Sequence, residues 1–126
     1  MRLDVLIDFL AYDNASPTND PADATKVKNR TSEDSITGVK RCQISVADST
    51  VDQVIELPSA NTEYLLILTD QEISIKLNGS GDSITLKPRA AGTKTAVYYS
   101  RGDVTALLLS NASGSAANVD IVTADK

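Results

Sequence analysis

The stretch YLLILTDQEISIKLNGSGD, residues 64–82, contains the pattern that decides the fold. Its first part, Tyr64 to Leu68, is continuously apolar, which is typical of a strand covered on both faces: a central strand or one that faces a neighbouring subunit. After a polar break the residues alternate, and Asn78-Gly79-Ser80-Gly81 then predicts a hairpin turn. The alternating residues predicted to face the core are Ile73, Ile75 and Leu77, and those predicted to face water are Ser74 and Lys76.

The same texture of short apolar segments separated by turn signals extends in both directions, over residues 38–123. Spacings of about 8–12 residues between such segments are typical of sandwiches and barrels. No stretch predicts a long helix, which argues against a parallel sheet with crossover helices. We therefore predict an all-β fold, an antiparallel jelly-roll-like β-sandwich of eight or nine strands. The further predicted strands cover residues 39–47, 51–57, 84–86, 95–99, 106–109 and 118–122.

The first third of the chain differs from the rest. Residues 1–12 fit a strand, in which alternate apolar residues face one way, although Leu3, Leu6, Ile7 and Leu10 also fit one helical face. Residues 13–37 are polar and aperiodic, and we predict an extended polar arm or binding loop there. The expected organisation is one domain overall, with residues 1–37 as N-terminal strand and arm and residues 38–126 as the sandwich body.

The charge of the chain argues against nucleic-acid binding. The net charge is −5, and an acidic domain repels phosphate backbones. The only basic cluster is interrupted by Glu33 and Asp34 and has no aromatic residues between its cations, so we interpret it as a solvated surface. It comprises Lys26, Lys28, Arg30, Lys40 and Arg41.

The residue types of the chain also argue against catalysis. Without histidine, neither a Cys–His pair nor a Ser–His–Asp triad can form, and the single cysteine, Cys42, excludes an internal disulfide or a cysteine-based zinc site. We expect Cys42 to be a buried structural thiol. Paired carboxylates are a glycosidase signature, but here we interpret them as polar strand faces. The pairs considered are Asp48 with Asp52 and Glu56 with Glu63.

Several short motifs have structural explanations. Arg101-Gly102-Asp103, an integrin-type triplet, fits a connection between two strands. Four Asn-X-Ser/Thr sequences fit turns, and three aspartates have no calcium-loop spacing. The asparagines are Asn14, Asn29, Asn78 and Asn111, and the aspartates are Asp13, Asp20 and Asp23. We predict no catalytic, cofactor-binding or metal-binding residues.

Nothing in the chain predicts secretion or a membrane span. Asp4 and Asp8 interrupt the apolar N-terminal residues, which lack the length and cleavage site of a signal peptide. No segment approaches the ~20 apolar residues that a spanning helix needs. We expect synthesis and folding in a cytoplasm, with no membrane partner.

From about Arg41 onward the chain resembles small β-sandwich structural proteins of tailed bacteriophages. The phrases IKLNG, residues 75–79, and LLLSNASGS, residues 107–115, carry the resemblance most clearly. It implies a non-enzymatic virion protein that binds other virion proteins, major capsid or tail proteins, and forms a homo-oligomer.

The resemblance favours a capsid decoration (cement) protein. A tail or baseplate accessory protein is the first alternative. A receptor- or carbohydrate-binding module on a tail fibre is the second, although sugar sites usually use aromatic residues and the chain has few. Its tyrosines are Tyr12, Tyr64, Tyr98 and Tyr99.

Overall fold

The computed structural model describes residues 1–11, 25–33, 35–57 and 62–125, which contain ten strands and no helix. The chain divides into two compact units, Met1–Ile36 and Thr37–Lys126. The all-β prediction is confirmed. Each of the nine strands predicted from the sequence is present, and a tenth was not predicted.

The first unit contains a two-stranded antiparallel sheet, formed by β1 (Leu3–Ala11) and β2 (Thr25–Glu33). The alternative of a helix at the N-terminus is wrong. Strand β2 lies within the segment that we predicted as an arm or loop, so that prediction missed it; residues 12–24 lie outside the described residues. Asp4 accepts a hydrogen bond from Ser32 Oγ at 2.7 Å and pairs with Arg2 at 3.0 Å. These contacts lower the pKa of Asp4 to about 2.

The second unit consists of two four-stranded antiparallel sheets. The first sheet has the order β3-β10-β5-β8, and the second has the order β4-β9-β6-β7. The strands are β3 (Gly38–Val46), β4 (Thr50–Ile55), β5 (Thr62–Thr69), β6 (Ile73–Leu77), β7 (Ile84–Leu86), β8 (Ala96–Val104), β9 (Leu107–Asn111) and β10 (Ala117–Asp125). As predicted from its continuous apolar run, β5 is a central strand.

The strand pairs of this unit are nested along the chain. The first strand pairs with the last (β3 with β10), the second with the second-last (β4 with β9), and so inward through β5 with β8 to β6 with β7. The chain therefore follows the path of one long folded hairpin. Pairs of that hairpin alternate between the two sheets, and β10 with β5 and β9 with β6 close each sheet.

One aliphatic core lies between the two sheets. Ile73 and Ile75 are fully buried in it, and Leu77 packs at its margin, so the predicted inward phase of β6 is confirmed. On the first sheet, Leu65 and Ile67 of β5 are fully buried in the same cluster. Burial of such side chains stabilises a domain by about 1.5–3 kcal/mol each.

The Arg101-Gly102-Asp103 triplet lies inside β8, so our interpretation of it as a connection between strands is wrong. Tyr64 pairs with Arg101 and Thr62 pairs with Val104, which leaves two residues of β8 opposite Glu63 alone. This is a β-bulge. Gly102 has a φ of 139° there, a backbone conformation that only glycine adopts at low energetic cost.

Two asparagines fasten the loops at the ends of the second sheet. Asn111, fully buried, donates from Nδ2 to Val46 O at 2.9 Å and to Ser115 O at 2.8 Å. Asn78 (φ 53°), in the predicted β6–β7 hairpin turn, accepts the Thr105 amide at 2.7 Å and donates to Asp103 O at the same distance. The side chains of both asparagines are therefore occupied in structural contacts at loops, in agreement with our interpretation of these two motifs. Asn29 lies inside β2, so our interpretation of its motif as a turn is wrong, and Asn14 lies outside the described residues.

Candidate functional site

The most unusual surface of the second unit is the outward side of the first sheet, which we call the outer face. Strand alternation defines it: Leu65 and Ile67 point into the core, so Leu66 and Leu68 point outward. On β8, Ala96 and Tyr98 pack on the core, which leaves Val97 and Tyr99 outward. The corresponding outward residues of β10 are Asn118, Asp120, Val122 and Ala124, and those of β3 are Val39, Arg41, Gln43 and Ser45.

The strand register arranges these side chains in rows across the sheet. The central row runs Arg41, Val122, Leu66, Tyr99, from edge strand β3 to edge strand β8. The row toward one end is Gln43, Asp120, Leu68, Val97, and the row toward the other is Val39, Ala124, Tyr64, Arg101. Apolar and aromatic side chains therefore occupy most of the middle of the face. Ala124 and Tyr64, in the third row, are only 3% exposed, so the accessible apolar part is the central row together with Leu68 and Val97.

The outer face is apolar where a water-facing sheet is normally polar. Antiparallel sheets with one face in water show polar residues on that side. Here Leu66, Leu68 and Val122 are only half-buried, and the edge residues Val39 and Val97 are 42% and 55% exposed. A contiguous exposed apolar patch on a small domain is the usual mark of a protein contact.

The second sheet provides an internal comparison. Its outward row Val54, Leu108, Lys76 contains one cation, and the next row consists of Ser110, Ser74 and Thr85. Lys76 Nζ lies 3.0 Å from Asp52 Oδ2, and the Asp52 amide donates to Ser110 Oγ at 2.8 Å. Hydrogen-bonded polar groups thus interrupt the apolar residues on this side of the sandwich, although the edge strand β4 of this sheet exposes Val51 (79%) and Val54 (76%).

A charged network borders one end of the outer face. Asp120 is only 6% exposed and accepts Lys94 Nζ at 3.0 Å and Arg41 Nη2 at 3.4 Å. The hydrogen bond from Lys94 is the main reason that the pKa of Asp120 lies below its ordinary value, although burial acts in the opposite direction. The Arg41 side chain remains 61% exposed despite this ion pair.

Tyrosine and arginine border the other end. The Arg101 guanidinium lies 5.4 Å from the centre of the Tyr64 ring, and its Nε is 3.4 Å from Glu63 Oε1. The cation therefore lies over an aromatic face, an attractive arrangement. Burial raises the pKa of the neighbouring Tyr99 above its ordinary value.

Comparison with known proteins identifies no matching family model, no matching curated protein and no matching solved structure. The resemblance to phage structural proteins therefore stays a prediction.

The basic residues singled out in the sequence are divided between the two units. Arg30 lies in the first unit and pairs with Asp4 at 3.3 Å, whereas Lys40 and Arg41 lie on β3 in the second. As consecutive strand residues, Lys40 and Arg41 point to opposite sides of the sheet. The side chains of Lys26 and Lys28 lie outside the described residues.

The candidate carboxylate pairs have separate structural contacts. Asp48 accepts the Gly114 amide at 2.9 Å, which joins two loops, while Asp52 is held by Lys76 and Ser110. Of the second pair, Glu63 contacts Arg101 and Glu56 is exposed. Cations and backbone amides thus hold three of the four carboxylates in place.

Cys42, three candidate calcium-binding aspartates and the absence of a membrane span were also considered from the sequence. Cys42 is half-buried and packs against the core from β3, so its predicted inward direction is confirmed while its burial is only partial. Asp13, Asp20 and Asp23 lie outside the described residues; within those residues no cluster of acidic, cysteine or histidine side chains suits a metal ion. The described part of the chain also has no helix of the length and hydropathy needed to cross a bilayer.

Proposed function

We propose that the protein is a structural component of a tailed-bacteriophage virion, and specifically a capsid decoration (cement) protein that binds other capsid subunits. The observation that carries this proposal is the apolar outer face of the first sheet. A rigid domain with a full core and an additional half-buried row of Leu66, Val122 and Tyr99 has the surface of a protein-binding module. In this proposal the protein acts at the surface of the particle.

The strand topology supports the more specific fold on which the proposal draws. A long hairpin whose nested pairs alternate between two four-stranded sheets is the path of a jelly roll. Viral capsid and lectin domains both use this architecture. The topology is therefore compatible with both the leading proposal and its carbohydrate-binding alternative, and the outer face favours the former.

The first unit supports a role in attachment. A two-stranded hairpin is marginally stable by itself in water, and β1 exposes Leu6 (69%) and Ile7 (43%). We infer that a neighbouring virion protein covers part of this hairpin, so that it serves as the arm proposed from the sequence. Many copies on a symmetric shell would multiply such weak contacts into firm attachment.

We further propose that the protein has no catalytic role. Asp48, Asp52 and Glu63 are engaged by an amide, an ammonium and a guanidinium respectively. A general acid and base need carboxylates that are aimed at an open substrate position. The geometry of these three residues instead supports loop and sheet stability.

Electron cryo-microscopy of particles purified from a phage that encodes this chain tests the proposal. We expect sandwich density on the capsid surface, with the outer face or the hairpin against a neighbouring protein. Absence of the chain from purified particles would contradict the proposal, and density on the tail would favour the tail or baseplate alternative.

One groove favours the carbohydrate- or receptor-binding alternative. It measures about 320 Å³ and lies where the loops after β5, β7 and β9 meet. Amide, charged and hydroxyl groups line it, but no tyrosine does, so it lacks the aromatic platform of most sugar sites. Its polar residues are Gln71, Glu72, Lys87 and Ser113. Binding on a glycan array that is lost on Glu72→Gln would favour this alternative.

A further inference from the structure

We propose that the outer face binds the same face of a second copy of this chain, about a two-fold axis that runs parallel to the strands between β10 and β5. The inference rests on the proposed function only in taking the outer face as a protein contact. It adds the contact surface and its symmetry to the homo-oligomer that the resemblance implies.

The central row of the face is complementary to its own reverse. Rotation by 180° about this axis reverses the lateral order of the strands in the second copy. Each row of the second copy then lies against the same row of the first copy. Arg41 of one copy then faces Tyr99 of the second copy, and Val122 faces Leu66. Arginine over a tyrosine ring is an attractive contact, and the molecule already makes one between Arg101 and Tyr64.

The charges on the face exclude the other simple symmetry. An in-plane axis perpendicular to the strands, through the central row, would keep β3 over β3 and bring Arg41 against Arg41. Two partly desolvated guanidinium groups repel each other. The axis along the strands avoids this contact, and it also places Arg101 against Val39 rather than against another cation.

The size of the face sets the expected strength of the contact. Four strands and the three rows of the outer face span about 20 Å by 15–20 Å, and because Ala124 and Tyr64 are only 3% exposed, the accessible footprint is at most roughly 300–400 Å² per copy. Stable complexes bury about 1,200–2,000 Å² in total, so this dimer should be weak, with a dissociation constant in the micromolar range or above. Such a contact becomes effective when other bonds already hold the copies on one particle.

Sedimentation of the full chain over a concentration series tests the self-association. We expect a reversible monomer–dimer equilibrium, and Leu66→Asp should raise the dissociation constant at least tenfold because it places a charge at the centre of the contact. Val97→Asp, at the exposed edge of the same face, tests the contact again without loading a central strand. Val54→Asp, 76% exposed on the other sheet, is the matched control and should leave the equilibrium unchanged.

A chain that stays monomeric up to about 1 mM, or a dimer that both face variants leave intact, would overturn the proposal. Circular dichroism would establish that each variant is folded.

Cross-linking tests the axis. In a Cys42→Ser background, Gln43→Cys and Val97→Cys place thiols at the two edges of one row. Packed sheets lie about 10 Å apart, so a bifunctional maleimide of that reach should link one variant to the other in a mixed sample. In a sample of either variant alone, the two thiols of a dimer would be offset laterally by three strand spacings, about 14 Å, in addition to the separation of the sheets, so no link should form. Self-links that exceed mixed links would overturn the axis.

The two proposals fail separately. A dimer in solution from a chain that is absent from particles would contradict the virion function and leave the contact standing. A chain that is located on particles but is monomeric, with its outer face against a different protein, would do the reverse.

Discussion

Replacement of Asn111 by alanine should remove a large share of the stability of the sandwich. The side chain is fully buried, bridges Val46 O and Ser115 O through Nδ2, and accepts the Ser113 amide at 3.0 Å on Oδ1. Alanine would leave three backbone groups without their partner. At about 1 kcal/mol for each lost hydrogen bond, with an added penalty for the buried carbonyl, the loss should be about 3–4 kcal/mol.

Urea denaturation followed by circular dichroism measures this loss. With an m-value of about 2 kcal/mol/M, the midpoint should fall by about 1.5–2 M. Asn118→Ala is the control: Asn118 is exposed, and its side chain makes one hydrogen bond, to Asp70 Oδ2 at 2.9 Å, so about 1 kcal/mol or less is expected. A loss below 1 kcal/mol for Asn111→Ala, or one no larger than that of the control, would refute the role assigned to this side chain.

Three further measurements check other parts of the structure. Lys94 holds the pKa of Asp120 below its unfolded value, so the ionised carboxylate stabilises the fold above pH 4, and this stability is lost as the pH falls through the folded pKa. Asp120→Asn should therefore weaken the dependence of stability on acid pH, and an unchanged profile would contradict this role. Cys42 should react with a thiol reagent more slowly in the native protein than in urea, whereas equal rates would mean that it does not pack on the core. Gly102→Ala should destabilise by about 1–3 kcal/mol through its backbone alone, since no atom lies near the added methyl group, whereas Gly81→Ala, with no unusual φ, should cost little.

The strands that the sequence predicts correctly are those whose pattern is local. Burial can be predicted from the sequence for the run Tyr64 to Leu68 and for the alternating residues Ile73 to Leu77, because a strand's side chains alternate between two environments. Strand β2 has no such pattern: Val27 is its only aliphatic residue. It forms by backbone pairing with β1, and the sequence of one strand does not reveal a partner of that kind.

The error at Gly102 has a different origin. We interpreted Gly102 as a turn residue, but an isolated glycine within a strand pattern also indicates a bulge. The residues after it, Asp103 and Val104, continue the strand, and Val104 returns to the core at 4% exposure. The apolar Val104 was therefore the available signal that β8 extends past the triplet.

The candidate surface was only partly predictable. The continuous run in β5 already indicated that Leu66 and Leu68 would be covered by something. The row that unites Leu66 with Arg41, Val122 and Tyr99 depends on the order β3-β10-β5-β8, which joins segments from opposite ends of the domain. Such non-local order follows from how nested pairs divide between two sheets, and no local pattern contains it.

The two outward sides of the sandwich differ in where their apolar side chains lie. The second sheet exposes Val51 and Val54 on its edge strand, whereas the outer face has Leu66 and Val122 on its central strands. Both sheets cover the same core, and the outward sides of both face the same solvent. On the second sheet, Lys76 and Asp52 form an ion pair beside Leu108, and hydroxyl groups complete the next row. On the first sheet, Leu66 and Val122 lie side by side at the centre of the face, and the charges lie toward its margins. Stability of the fold does not require this second arrangement, since the first serves as well. An apolar centre with a charged rim is instead the organisation of a protein–protein interface.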